Sequence, residues 1–360
     1  MQMVYCRLGI NAINQVVESR FLPKLFYMES SNTQLRFFQH IKSILPANVS
    51  FVDEIADLLE ISNDSAYRRI RADKPISFEE LQKLCVKYKV SLDQFLNLQS
   101  DAFIFTGKLD NDVNFGFTNW LEEVYKQYAV IGHFEKKHIY FLCKDFTFNL
   151  HFQIPELAAF KYFVWMRCFL DFHADKGEKF SFNYPGFEIH NKIGLGIVDI
   201  YNRIPTTEIL NAEGVNTTLM QILYYYEAGG LVSYDQAMLL CDRLEELVNH
   251  VESQAELGVK FRIGEKPSTS SVAYQLFNNE LIMGDNTLLA ELGDMKVTFL
   301  NHSFMHFIGT RDETFNKAMY NNLNNIMQKS TLISASNERE RVRFFNRLRA
   351  EIHRAKAKLI

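Results

Sequence analysis

Between Leu59 and Asn63 the chain has only Glu60, Ile61 and Ser62 in which to end one helix and begin another. Before this connection, Val52, Ile55, Ala56 and Leu59 recur at helical spacing; after it, Ala66 and Ile70 stand four apart. A turn this short, with an apolar residue in its middle, obliges the two helices to cross steeply and to pack through Ala56, Ile61 and Ala66. Few small folds satisfy that constraint.

The surrounding residues extend the pattern to five short helices. Leu35, Phe38, Ile41, Ile44 and Leu45 follow helical spacing and Pro46 closes that segment; Ser50 with Asp53 and Ser77 with Glu80 have the spacing of capping boxes, Ser62 caps the third helix, and Ser91 with Gln94 precedes Phe95 and Leu96. This is helix-turn-helix geometry. The outward face of the third helix is Asn63, Asp64, Ser65, Tyr67 and Arg68, with Arg69 at its edge and Arg71 and Lys74 just beyond. Asn bonds adenine and Arg bonds guanine in a bidentate manner, while Arg and Lys hold phosphates. Residues 31–100 carry 9 Lys+Arg against 9 Asp+Glu, but the cations gather on and after the third helix.

The stretch VDEIADLLEISNDSAYRRIRADKPISFEELQKLCVKYKVSLDQFL, residues 52–96, resembles the lambda-repressor-like (Cro and xenobiotic-response) helix-turn-helix family. The resemblance rests on Ala56 in helix two, Ile61 and Ser62 before helix three, Pro75, Ile76 and Ser77 opening helix four, and VSLDQFL at the close. Three departures stand out: Glu60 and Ala72 occupy places where the family usually has glycine, and Arg69-Ile70 replaces a common apolar-then-Glu pair. The resemblance implies a sequence-specific transcriptional regulator whose third helix reads the major groove of double-stranded DNA. Asn63, Asp64, Ser65, Tyr67, Arg68, Arg69, Arg71 and Lys74 are the expected DNA contacts. It also implies a homodimer on two half-sites about one helical turn apart.

At 360 residues there is room for about two domains. The expected organisation is a multidomain chain: residues 1–30 as an extension of doubtful structure, 31–100 as the all-α helix-turn-helix bundle, 101–132 as a connecting helix, 133–336 as a larger α+β regulatory domain with an antiparallel sheet, and 337–360 as a basic amphipathic helix. HIYFLCKDFTFNLHF reads as one or two strands, and VKFRIG, SVAYQLFNN, NTLLAEL and KVTFLNH as further strands, with Gly293-Asp294 turning the last two into a hairpin. Segments around TTEILNAEG, NTTLMQILYYYEAGG and SYDQAMLLCDRLEELVNHVESQ read as helices, the last capped by Ser233 with Gln236. PELAAFKYFVWMRCFLDF is apolar on nearly every side and reads as a central buried helix despite Lys161, Arg167 and Asp171. In the C-terminal segment, 8 Lys+Arg outnumber 3 Asp+Glu, and Phe345, Leu348, Ile352, Ala355 and Leu359 form a seam for docking, dimerisation or phosphate contact.

Catalytic and metal motifs are weak. Gly194, Gly196 and Asp199 begin like a dinucleotide fingerprint without its third glycine, and His302 and His306 stand four apart without a glutamate between them. The five cysteines are scattered and form no CxxC pair. The expectation is therefore a protein that is not an enzyme, with no cofactor and no metal. Phe160, Tyr162, Phe163, Trp165 and Tyr224 to Tyr226 are the places to seek a small apolar ligand in the C-terminal domain. No apolar run is flanked like a signal peptide, so a cytoplasmic location without membrane attachment is expected, with translation starting at Met1 or Met28. Two rival readings remain at this level: a protein-interaction adaptor using the helical domain, and a C-terminal enzyme domain tethered to DNA.

Overall fold

The computed structural model describes residues 32–45, 49–88, 90–96, 103–107, 116–169, 179–184, 186–227, 232–281, 286–302 and 306–359. The expected extension, residues 1–30, lies outside them. The chain divides into two compact units, one ending at residue 102 and the other beginning at Phe103.

The first unit is helical: α1 (Thr33–Ile44), α2 (Phe51–Leu59), α3 (Asn63–Ile70), α4 (Phe78–Tyr88) and α5 (Leu92–Leu96). Its core is Phe37, Phe38 and Ile41 of α1, Ile55, Ala56 and Leu59 of α2, Ala66 of α3 and Leu84 of α4. Local chemistry starts most of these helices. Asn32 Oδ1 accepts from the N–H groups of Gln34 and Leu35, Ser62 Oγ accepts from Ser65 N, and Ser77 and Glu80 cap each other reciprocally. Ser50 stands at the start of α2 without a side-chain bond to it.

The second unit is built on an eight-stranded sheet, in the order β1 (Thr106–Gly107), β7 (Phe307–Thr310), β6 (Met295–Asn301), β5 (Thr287–Leu292), β2 (Lys137–Leu142), β3 (Thr206–Leu210), β4 (Tyr274–Asn278), β8 (Thr331–Leu332). The sheet is mixed, which corrects the antiparallel expectation: β2, β3 and β4 run parallel, and the other pairings are antiparallel. The reason lies in the connections. Helices α7 (Phe148–His151), α8 (Pro155–Phe169) and α9 (Phe187–Tyr201) lead from β2 to β3, and α10 (Asn216–Glu227) and α11 (Tyr234–Leu257) lead from β3 to β4. A crossover of that length returns the chain in the same direction.

Three other expectations change. TTEIL is the central strand β3, buried along its whole length, where a helix was expected. Only the first half of HIYFLCKDFTFNLHF is a strand, the rest turning into α7, and VKFRIG contributes one isolated bridge, Val259 with Ala273. The anticipated connecting helix, α6 (Phe117–His133), belongs to the second unit, where Phe117, Trp120, Leu121, Tyr128 and Ile131 are buried in its main core. The Gly293 hairpin and the reciprocal Ser233–Gln236 cap form as expected.

The two sheet faces are covered unequally. Ile139, Phe141 and Leu210 face the main core with α6 to α11 and α13 (Glu338–Lys358). Leu142, Ile209 and Leu289 face α12 (Glu313–Gln328) through Leu323 and Ile326. In the main core, Glu208 accepts hydrogen bonds from the hydroxyls of Tyr201 and Tyr274, while buried Lys260 donates to Tyr201 O, Ile204 O and Thr206 Oγ1. Burial holds the Lys260 ammonium well below the usual lysine range. The polar groups of this network are matched to one another, as a buried network requires.

Candidate nucleic-acid interface

The turn between α2 and α3 is a Schellman motif. Ile61 N donates to Ala56 O, Glu60 N donates to Asp57 O, and Glu60 takes the left-handed conformation with φ 58° and ψ 43°. Ile61 then packs on the core that contains Ala56 and Ala66. A second motif of the same kind ends α3: Asp73 N donates to Arg68 O, Ala72 N donates to Arg69 O, and Ala72 has φ 61°. Both left-handed positions carry a β-carbon where glycine would be relaxed. These are the two departures from the family's glycines.

Gln34, which the sequence did not single out, fixes the far end of α3. Its Nε2 donates to Arg69 O and Lys74 O at 2.8 Å each, and its Oε1 accepts from Ile76 N at 3.1 Å. The loop leaving α3 is thereby tied to α1. At the near end, Asn63 Nδ2 donates to Asp53 Oδ1 at 2.7 Å, linking α3 to the first turn of α2.

Asn63, Asp64, Tyr67, Arg68, Arg71 and Lys74 are exposed, and Ser65 is half-buried with its hydroxyl against Ser62. Arg69 is the exception. It turns inward, 7% exposed, and pairs with Glu80 of α4 through Nε to Oε2 at 2.9 Å and Nη2 to Oε1 at 2.7 Å, with Nη1 donating to Ser65 O at 3.2 Å. The expectation of Arg69 as a DNA contact is corrected on this ground, because its guanidinium donors are engaged inside the unit. The bond from Arg69 holds the Glu80 carboxyl below the usual carboxylate range. Arg71 lies over the Tyr67 ring at 5.6 Å and within 3.7 Å of Asp73. Among the described residues, Arg68 and Lys74 form no ion pair.

The second unit's motifs resolve differently. Gly194 and Gly196 lie inside α9, where a β-carbon would strike Tyr162 and Phe152 of the neighbouring packing and Tyr125 of α6. The pair is a close helix crossing, not a dinucleotide loop. His302 N donates to His306 O, the reverse of a helical bond, so the two histidines do not share a helix, and no group of three His, Cys, Asp or Glu able to hold a metal occurs among the described residues. Phe160, Tyr162 and Phe163 are ordinary core, Tyr224 is exposed, and Tyr226 donates to Leu359 O. The seam on α13 docks within its own unit, with Phe345, Leu348, Ile352, Ala355 and Leu359 buried in the main core and Arg349 bonded to Glu252 of α11. No described helix is long and apolar enough to cross a membrane.

Neither a protein-family model nor a curated protein matches the chain. Among solved structures, that of TrmBL2, an archaeal chromatin protein reported to show a novel mode of DNA binding, aligns at 8% identity over 89% of this chain and 98% of that one, with a TM-score of 0.21. That score is too low to establish a shared fold, and the likeness carries no weight for this chain.

Proposed function

We propose that the first unit binds double-stranded DNA by inserting α3 into the major groove, and that the chain is a sequence-specific transcriptional regulator. The observation that carries this reading is the α2–α3 turn: it presents the outer arc of α3 on a short, rigid helix clamped at both ends. Asn63 and Arg68 are the base-edge residues, Arg71 and Lys74 the phosphate contacts, and Tyr67 supports Arg71. Asp64 matches the amino group of cytosine. Arg69 positions α3 and is left out of the contact set. The reading assigns no catalytic chemistry to either unit.

A homodimer on paired half-sites fits this class, but the α13 seam is already buried within one copy. A dimer contact would then lie elsewhere, and the exposed Phe78 and Val86 of α4 are the positions to test. Selection from a random duplex library with the full chain, at two salt concentrations, is the direct experiment. An enriched motif that disappears in Arg68→Ala, with affinity falling steeply with salt, is the expected result. Absence of any enriched motif, or an unchanged motif in Arg68→Ala, overturns the reading.

A further inference from the structure

Just beyond the carboxyl end of β2, a position where ligands gather in sheets with parallel strands, the second unit has a half-open cavity of about 220 Å³ between the sheet and the helices. One side is aromatic. Trp120 of α6, Phe148 of α7 and Trp165 of α8 line it, with ring centres 6.0 to 6.4 Å apart. The other side holds Asp145, Lys161 and Gln221.

The polar side is incompletely bonded. Lys161 sits in the middle of α8, 3% exposed, and donates to Gln221 Oε1 at 3.0 Å. Its Nζ is 4.0 Å from Asp145 Oδ2, which is ion-pair range but beyond a hydrogen bond. Asp145 Oδ2 accepts from Thr218 Oγ1 at 3.2 Å, while Oδ1 is buried and has no hydrogen-bond partner among the described residues. His151 Nε2 lies 3.2 Å from the same Thr218 hydroxyl. Its Nδ1 in turn lies 3.4 Å from Thr147 O. Burial keeps His151 well below its ordinary range, hence neutral. Burial also raises the Asp145 carboxyl to about 6 and lowers the Lys161 ammonium to about 8, so desolvation outweighs their mutual attraction. Two desolvated charges that do not meet directly cost stability, and water-excluded donor and acceptor sites left open are what a ligand completes.

We propose that this cavity binds a small, neutral, flat aromatic molecule that carries a hydrogen-bond donor next to an acceptor, as on a lactam edge, with its ring among Trp120, Phe148 and Trp165 and its polar edge between Asp145 Oδ1 and Lys161 Nζ. The charges select the class. Lys144 also lines the cavity but is exposed to solvent, so the buried pair decides: an anion meets Asp145, a cation meets Lys161, and a purely apolar molecule leaves both groups unsatisfied, whereas a donor beside an acceptor serves both. Size sets the limit: a cavity of about 150 Å³ accommodates benzene, so the volume here admits one ring or two fused rings with few substituents. The site is amphiphilic, in contrast to the apolar pocket expected from the aromatic residues alone.

The test uses the full chain and three fused-ring probes: quinolin-2(1H)-one, naphthalene and quinoline-2-carboxylate. The chain's two tryptophans, Trp120 and Trp165, both line the cavity, so saturable quenching of their emission reports occupancy, with calorimetry as the second readout. The lactam is expected to bind one per chain and at least roughly tenfold tighter than the other two, the worth of one hydrogen bond to a charged group. Lys161→Met is expected to remove that advantage. Thr217→Phe, at an exposed position on the rim, is expected to block binding while leaving the melting curve unchanged, which covers the case in which Lys161→Met fails to fold. Naphthalene or the carboxylate binding as tightly as the lactam overturns the assigned class. Failure of the lactam to bind, or its undiminished binding to a folded Thr217→Phe protein, overturns the site.

Discussion

Replacing Arg69 separates a residue that holds the reading helix from one that reads. In Arg69→Met the aliphatic stem is retained and the two bonds to Glu80, at 2.9 and 2.7 Å, are lost together with the bond to Ser65 O. Exposed pairs are worth about 0–1 kcal/mol and fully buried ones about 3–5 when one partner is removed. Here the side chains are 8% and 18% exposed, and Glu80 keeps the N–H of Ser77 as a donor. The cost falls between those limits, about 2–3 kcal/mol, and lies in the tie between α3 and α4. Hydrogen exchange in the full chain measures it where it occurs: amides of α3 and α4 should exchange roughly 30- to 150-fold faster, 1.4 kcal/mol being a factor of ten. Arg68→Ala should leave that exchange unchanged and weaken duplex binding by roughly 1–3 kcal/mol. Glu80→Gln supplies a test of sign, because it removes a negative charge near DNA yet should weaken duplex binding by loosening α3. The reasoning is refuted if Arg69→Met loses DNA while exchange of α3 stays as in the parent, or if Glu80→Gln binds duplex more tightly.

Ala72→Gly should stabilise the first unit by up to about 1 kcal/mol, since it relieves a left-handed residue with a β-carbon; urea denaturation followed on the helical unit checks it. His250, half-buried and hydrogen-bonded to Phe261 O, has its pKa lowered to about 4 by desolvation. The unfolded chain therefore binds a proton between pH 6.5 and 4 that the folded chain refuses. The second unit should lose stability over that interval, and His250→Gln should flatten the loss in melts across the same range. The Asp145–Lys161 pair acts in the opposite sense around neutrality. Its shifts make stability fall as pH rises through 4 to 6 and recover from 8 upward, so Asp145→Asn combined with Lys161→Met should melt no lower than the parent at pH 7 and show a flatter profile. Gly194→Ala should lower the melting temperature of the second unit markedly, because its β-carbon meets Tyr162 and Phe152.

The first unit was legible because its signals are local. Ser62 and the Ser77–Glu80 box mark helix starts within four residues, and a three-residue turn allows few crossings. Even Arg69 left a trace: it follows Ala66 by three and precedes Ile70, which puts it toward the inner side of α3. Its partner, Glu80 on the next helix, left none. The second unit was hidden by tertiary context. Thr206, Thr207 and Glu208 are polar on paper, and their burial in a central strand depends on partners supplied from elsewhere: Lys260 for Thr206, Tyr201 and Tyr274 for Glu208, His138 and Gln275 for Thr207. Lys161 was conspicuous in an apolar helix, but the Asp145 that gives it meaning lies in a turn after another strand, and no periodicity connects them.

The closing of the second unit's core by α13 has a consequence for the order of synthesis. A nascent chain that has passed α5 holds every residue of the first unit's core. The second unit waits: β2 is paired on one side by β5, and the main core is filled by side chains as late as Leu359. On the ribosome the helical unit therefore folds well before its companion, since contacts of long sequence separation form last. A chain interrupted just before Phe345 would carry a finished reading helix beside a second unit with Phe345, Leu348 and Ile352 missing from its centre.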